Sequence, residues 1–340
     1  MSDTPTRVDV LLIGAGPVGL YGAYYAGFRG LRVAVMDSLP HPGGQVGALY
    51  PEKNLYDIAG LPCVKGQELV DNLVAQAAPF APTYLLGQQA QRLERTGETV
   101  IVVSNTGATV EAGAVIITAG VGAATPRPLP CGEEYLGRGL HYFVSDLDLF
   151  TGRDVVIVGG GDSAVDWALA AVQRAHSVHL VHRRQRFRAH EHSMDQLRAS
   201  ACTLHLDAQV QALHGNGHIE AAELTGAGPP YRIPAQVVVA ALGFKINLGP
   251  IATWGLELHE RSIAVDSAMR TSLPRVYAAG DITTYDGKVK LISVGFGEVA
   301  TAVNNAAAAL HPEAGLAPEH SSHATPLSNP EHLRENPHHA

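Results

Sequence analysis

Two stretches of the chain repeat one order of apolar and small residues. Val8–Ile13 is an unbroken apolar run, followed by the turn Gly14-Ala15-Gly16-Pro17-Val18-Gly19. A small-residue segment then continues to about Gly27, and a second apolar run, Leu31–Met36, ends at Asp37. The same order returns as Asp154–Val158, the turn Gly159–Ala164, the segment Val165–Arg174 and the run Val178–Val181, which closes on His182-Arg183-Arg184. Continuous short apolar runs separated by a glycine turn and a helix-length segment predict parallel strands buried on both faces, each pair joined by a helix. The fold class expected is therefore α/β, with two Rossmann-like, three-layer dinucleotide-binding domains.

The remaining pattern fits around these units. Glu68–Ala78 reads as a helix. Residues 80–118 read as short strands closing on Val115–Thr118, and 205–244 are again strand-rich, closing on Val237–Ala241. Val276–Gly280 reads as a strand ending at Asp281, and Gly297–Leu310 as a helix. Pro126, Pro128 and Pro130 mark a crossover into the second unit, and Gly243–Pro250 marks the return. The first domain is then discontinuous, 1–120 plus 248–340, around a second domain of 121–247. From about His311 the chain becomes polar and proline-rich, with six histidines, and reads either as disorder or as a strap over a site.

Composition narrows the function. The chain has 340 residues, 46% hydrophobic and 16% charged, enough apolar material for two cores. A formal net charge of −8 disfavours a general nucleic-acid partner. No apolar stretch is long enough to span a bilayer, and the segment holding Asp3 and Asp9 does not read as a secretory signal. Cys63, Cys131 and Cys202 form neither a CxxC nor a metal-ligand spacing, which fits reduced structural thiols in the cytoplasm. His190 and His192 flank Glu191 too closely to be two ligands on one helix face, so no metal is expected.

The chemistry sits in the two turns. Gly14, Gly16, Pro17 and Gly19 follow a strand and open a helix, where glycine permits the tight turn, the approach of a pyrophosphate and close helix–strand packing. Asp37 stands where an acid binds ribose hydroxyls. In the second turn, Gly159, Gly160, Gly161, Asp162, Ser163 and Ala164 form the GxGxxA variant. Its second strand ends in His182, Arg183 and Arg184, with Arg188 four residues beyond Arg184, and guanidinium groups there predict a 2′-phosphate, hence NADP(H). Two such sites suggest a flavin with a nicotinamide. Asp281, after the run Tyr277-Ala-Ala-Gly-Asp-Ile282, would then accept hydrogen bonds from a ribityl chain.

These motifs resemble the two-dinucleotide-binding flavoproteins, and the second unit is similar to the NADPH domain of low-molecular-weight thioredoxin reductases. Those enzymes carry a CxxC dithiol about where Tyr142–Asp146 stands. Phe143 and Asp146 occupy the sulfur positions here, so flavin electrons cannot leave by thiol–disulfide exchange. The segments Gly43-Gly-Gln45, Leu49–Lys53, Leu140–Phe143, Arg188–Ser193, Gly295–Glu298 and His320-Ser-Ser322 resemble the thioredoxin-reductase-like ferredoxin/flavodoxin–NADP⁺ reductases.

That resemblance implies FAD contacts from Asp37, Gln45, Tyr50, Ala90, Ala124, Asp281 and Ser322. Tyr50 and His320 would stack on opposite faces of the isoalloxazine. It also implies a homodimer in which each tail covers the partner's flavin. The reaction expected is hydride transfer from NADPH to flavin N5, then single electrons to ferredoxin or flavodoxin, reversibly. An NADPH-dependent quinone or iron-chelate reductase and a non-catalytic flavin/NADPH redox sensor remain alternatives, whereas the missing CxxC disfavours a disulfide reductase. An acidic carrier needs a local basic patch on this acidic protein, and Lys53, Lys288 and Lys290 are the candidates.

Overall fold

The computed structural model describes residues 4–144 and 146–316. The chain divides into two units, Met1–Ala123 with Ile246–Ala340, and Ala124–Lys245.

The first unit is built on a seven-stranded sheet. Thr6–Ile13 lies at its centre, parallel to Val33–Asp37 on one side and to Thr109–Ile117 on the other. Thr83–Leu86 extends the parallel edge beside Val33–Asp37. On its other edge, the long strand Thr109–Ile117 serves two neighbours. Its first half pairs antiparallel with Thr99–Ser104, and its last residues pair in parallel with the returning strand Val276–Ala278.

Both faces of the central strand are covered, which is why its sequence shows no polar alternation. Val10 and Leu12 point into a cluster with Ala23 and Ala26 of the helix Pro17–Phe28 and with Val299, Ala302 and Ala306 of the C-terminal helix Ile292–Leu310. Leu11 and Ile13 point the other way, towards Val100, Val102, Ile251 and Trp254. Three layers result.

The second unit repeats the scheme more simply. A five-stranded all-parallel sheet has the order Leu140–His141, Val237–Ala240, Asp154–Val158, Ser177–His182, Thr203–Leu206. Val156 and Val158 face a cluster with Val210, Ala222 and Leu224 of a separate three-stranded antiparallel sheet. The helix Asp162–Val172 follows the glycine turn and packs on the strands at either end of it.

The expected α/β class with two glycine-turn units is what the structure shows, and element edges differ in instructive places. The helix after the second turn begins at Asp162, not Val165, because the polar first turn hides its start from an apolar count. The C-terminal helix begins at Ile292, not Gly297, running through two glycines that read as a break. Glu191–Arg198 is a helix with His190 at its N-cap.

Phe150 ends the short 3-10 turn Leu147–Phe150, which contacts the helix Asp162–Val172, and it is fully buried. Phe150→Ala is expected to destabilise the second unit by about 3–5 kcal/mol. Urea unfolding checks this as a lowered midpoint, and an unchanged midpoint would show that the site collapses around the smaller side chain.

Candidate functional site

The first glycine turn is a place where backbone meets backbone. A Cβ on Gly14 would lie 2.5 Å from the Thr118 carbonyl oxygen, and one on Gly19 would lie 1.8 Å from the Gly14 carbonyl oxygen. The protein's own packing therefore demands these two glycines. Gly16 is different. A Cβ there would meet only the Gly44 Cα at 4.0 Å, so this glycine leaves room on the side that its neighbours do not use. Pro17 follows as the first residue of the helix, whose N-terminal N–H groups are free for an anion.

Asp37 closes the turn from the side. One carboxylate oxygen accepts the Ala15 N–H at 2.6 Å and the other accepts the Leu39 N–H at 2.8 Å. Burial raises its pKa above the ordinary carboxylate value, against the opposing pull of these two bonds. Asp37 thus fixes the turn through both of its carboxylate oxygens. The loop Gly43-Gly44 lies directly on the turn, with the Gly43 N–H donating to the Ala15 carbonyl at 2.8 Å. Gln45 and Tyr50 are carried by the helix that follows, Gly44–Leu49, and both are half-buried. The Lys53 ammonium lies 5.6 Å from the centre of the Tyr50 ring.

Asp281 follows the returning strand and lines a cleft of about 480 Å³ with Val121, Glu260, Arg261, Ser262 and Lys290. Burial raises its pKa, opposed by Lys288 and Lys290. Ala90 begins the strand Ala90–Thr96 with its methyl group in the core, so only its backbone can face a ligand. Ala124 lies in the strand Ala123–Pro126. His320 and Ser322 lie outside the described residues.

The second turn has the same division of labour. A Cβ on Gly159 would lie 2.4 Å from the Ala241 carbonyl oxygen, whereas one on Gly161 would meet nothing within 4 Å. Ala164 is fully buried, and Asp162 and Ser163 are half-buried in the helix's first turn. His182 does not project outward with the arginines. Its imidazole lies against Gly160, where a Cβ would come within 2.1 Å of the ring, and against Phe187 at 4.8 Å between ring centres. The loop from 183 to 190 is anchored to the turn at two further points. The Arg188 N–H donates to the Gly160 carbonyl at 2.8 Å, and the His190 N–H donates to Asp162 at 2.9 Å. Arg183, Arg184 and Arg188 are exposed, and none has an ion-pair partner among the described residues.

One expectation is corrected. Lys288 is not a surface docking residue. Its side chain is 6% exposed and its ammonium is paired with the carboxylate of Glu298, itself 5% exposed. A buried carboxylate needs a counter-charge, and Lys288 supplies it. Glu298 was the signal available in the sequence, the single ionised residue in an otherwise small and apolar helix. Lys290 is exposed.

No cysteine stands at the positions of the dithiol. Phe143 is exposed, and Asp146 caps the turn Leu147–Phe150 by accepting the Asp148 N–H at 2.9 Å. Cys63, Cys131 and Cys202 are unpaired; burial raises the Cys131 thiol and pushes Cys202 up to about 11.

Residues 8–307 match the model of the pyridine nucleotide-disulphide oxidoreductase family. The ferredoxin–NADP reductase of Frankia alni is 58% identical over 92% of this chain and 98% of its own. That of Saccharopolyspora erythraea is 57% identical, over 95% of this chain and 99% of its own. Among solved structures, the thioredoxin reductase of T. acidophilum superposes with a TM-score of 0.75 at 27% identity, covering 91% of this chain and 99% of that one.

Gly19→Ala forces its new methyl group onto the Gly14 carbonyl. The folded variant is expected to purify with most of its visible flavin absorbance gone, while far-ultraviolet circular dichroism stays that of the parent. Full flavin content in the variant would show that the turn tolerates the shift.

Proposed function

The chain belongs to the pyridine nucleotide-disulphide oxidoreductase family and, within it, to the ferredoxin–NADP reductases, and from that premise we propose how its residues divide the work. It is an FAD-dependent oxidoreductase that uses NADP(H). When bound, FAD would supply the redox chemistry that links the two-electron donor NADPH to the one-electron carrier ferredoxin. The observation that carries this reading is a pair of glycine-turn units whose second strands end in opposite charges, in a chain with no thiol pair.

In the first unit, the helix N-terminus at Pro17, beside the space that Gly16 leaves open, would hold the pyrophosphate. Asp37 would accept hydrogen bonds from the adenosine ribose, and Asp281 from the ribityl chain. Tyr50 would stack on the flavin; the family resemblance assigns the opposite face to His320 and Ser322 of a homodimer, and these two residues lie outside the described ones.

In the second unit, Gly161 leaves room for the nicotinamide dinucleotide's phosphates, and Arg183, Arg184 and Arg188 hold the 2′-phosphate. His182 acts differently from the arginines: its ring buttresses the glycine turn. These guanidinium groups are exposed and have no ion-pair partner among the described residues, which supports this assignment, because an acidic neighbour would otherwise neutralise them.

The carrier is an acidic one-electron protein, ferredoxin or flavodoxin, and Lys290 with Lys53 offers it positive charge beside the flavin residues. The enzyme works in the cytoplasm, where three unpaired cysteines stay reduced.

Two measurements test the reading. Arg183→Ala and Arg184→Ala each remove charge-assisted hydrogen bonds worth about 1.5–3 kcal/mol. KM for NADPH is expected to rise roughly 10–100-fold with NADH kinetics unchanged. Equal weakening of both nucleotides would make the arginines structural. In the second measurement, the triple variant Cys63→Ser, Cys131→Ser, Cys202→Ser is expected to reduce ferredoxin from the same source at the parent's rate. Neither protein should reduce thioredoxin. Loss of ferredoxin reduction with flavin content preserved would reveal a thiol route.

A further inference from the structure

We infer that Glu298 is a positioning residue of the flavin site, gripping with Lys288 and Tyr285 the backbone turn that presents Asp281. The inference rests on the reading that FAD occupies the Asp37–Asp281 site.

The turn Ala279-Gly280-Asp281 is held through three of its backbone groups. The Ala279 N–H donates to the Ile117 carbonyl at 2.9 Å, which continues the parallel ladder. The Gly280 carbonyl accepts from the Thr283 hydroxyl at 2.8 Å and from the Thr283 N–H at 3.1 Å. The Gly280 N–H donates to one carboxylate oxygen of Glu298 at 2.7 Å. The other oxygen of Glu298 accepts the Tyr285 hydroxyl at 2.6 Å and the Lys288 ammonium.

Steric contacts hold the same turn. Gly280 has φ +84°, a left-handed conformation that favours glycine, and a Cβ there would approach Val18 at 3.3 Å. On the other side, a Cβ on Gly295 would lie 2.5 Å from Val18 and 3.3 Å from the Gly280 Cα. The helix that carries Glu298 therefore presses the Asp281 turn directly onto Val18, the second residue of the first-turn helix. One side chain from that helix fixes the position of Asp281 relative to the glycine turn.

A neutral acceptor would satisfy a single N–H. An ionised carboxylate with its own lysine is an expensive way to do so in a buried place. What the pair adds is a stronger, charge-assisted bond to the turn and a lysine charge close to Asp281, where it favours the ionised, hydrogen-bond-accepting form.

The test is fluorescence titration of apoprotein with FAD, together with the thermal midpoint of each apoprotein. Glu298→Gln keeps an acceptor for Gly280 but strands the lysine, and Lys288→Met strands the carboxylate. Each is expected to weaken FAD binding roughly ten- to hundredfold. The double variant Glu298→Gln, Lys288→Met leaves no unpaired charge and keeps the acceptor but loses the charge-assisted bond and the lysine charge beside Asp281, so binding is expected to recover above either single variant while staying below the parent. The double variant Glu298→Leu, Lys288→Met also leaves no charge but removes the acceptor, and is expected to stay weak even where its thermal midpoint recovers. Equal FAD affinity in the two double variants, or parental affinity in the single ones, overturns the positioning role. A parent apoprotein that takes up no FAD overturns the site assignment itself, and the inference with it.

Discussion

A parallel sheet can present a flat, polar ledge to a ligand only where its chain segments approach without side chains between them. In the first unit, the end of the central strand, the end of its neighbour and the loop before Gln45 converge within backbone contact. Gly14 and Gly19 permit the approach, Thr118 ties it through its hydroxyl to the Gly14 carbonyl at 2.8 Å, and Asp37 cross-links it from the side. Everything assigned to the first nucleotide follows from that convergence. A methyl group at any of these points would separate the strand ends and dissolve the ledge. The second unit applies the same constraint, with Ala241 and Gly159 in the corresponding places.

What distinguishes the two units is the charge set around that common geometry. The first ends its second strand in a half-buried carboxylate that is hydrogen-bonded inward. The second ends in exposed guanidinium groups whose loop is clamped by backbone bonds and by the His182 ring. Fixing the loop through its backbone leaves the arginine side chains unspent, which is what recognition of a dianionic phosphate requires. On a chain of net charge −8, this local cluster is the exception rather than the trend.

The sequence makes the glycine turns, the central strands and the arginine cluster legible, because each is encoded in consecutive residues with a strict steric or electrostatic requirement. Lys288 was misread for the opposite reason. Its partner Glu298 lies ten residues on, in a helix whose start is concealed by glycines, and nothing local tells a buried lysine from a solvated one. The roles of His182 and of Gly43-Gly44 were likewise invisible, since both depend on a contact with a turn made by distant chain. The tail residues His320 and Ser322 rest on resemblance alone.

The split pairing of the strand Thr109–Ile117 bears on how the chain reaches this state during synthesis. Its last three residues find their parallel neighbour only when Val276–Ala278 has been made, after the whole second unit. The inserted unit is contiguous in sequence and is therefore free to fold as it leaves the ribosome, while the first unit waits with an apolar sheet edge unpaired. Translation of the intervening segment thus sets how long that edge is exposed. The nascent first unit is the point at which chaperone capture would act on this protein, and the helix Ile292–Leu310, made after that strand and bearing Glu298, is the piece that covers the sheet face.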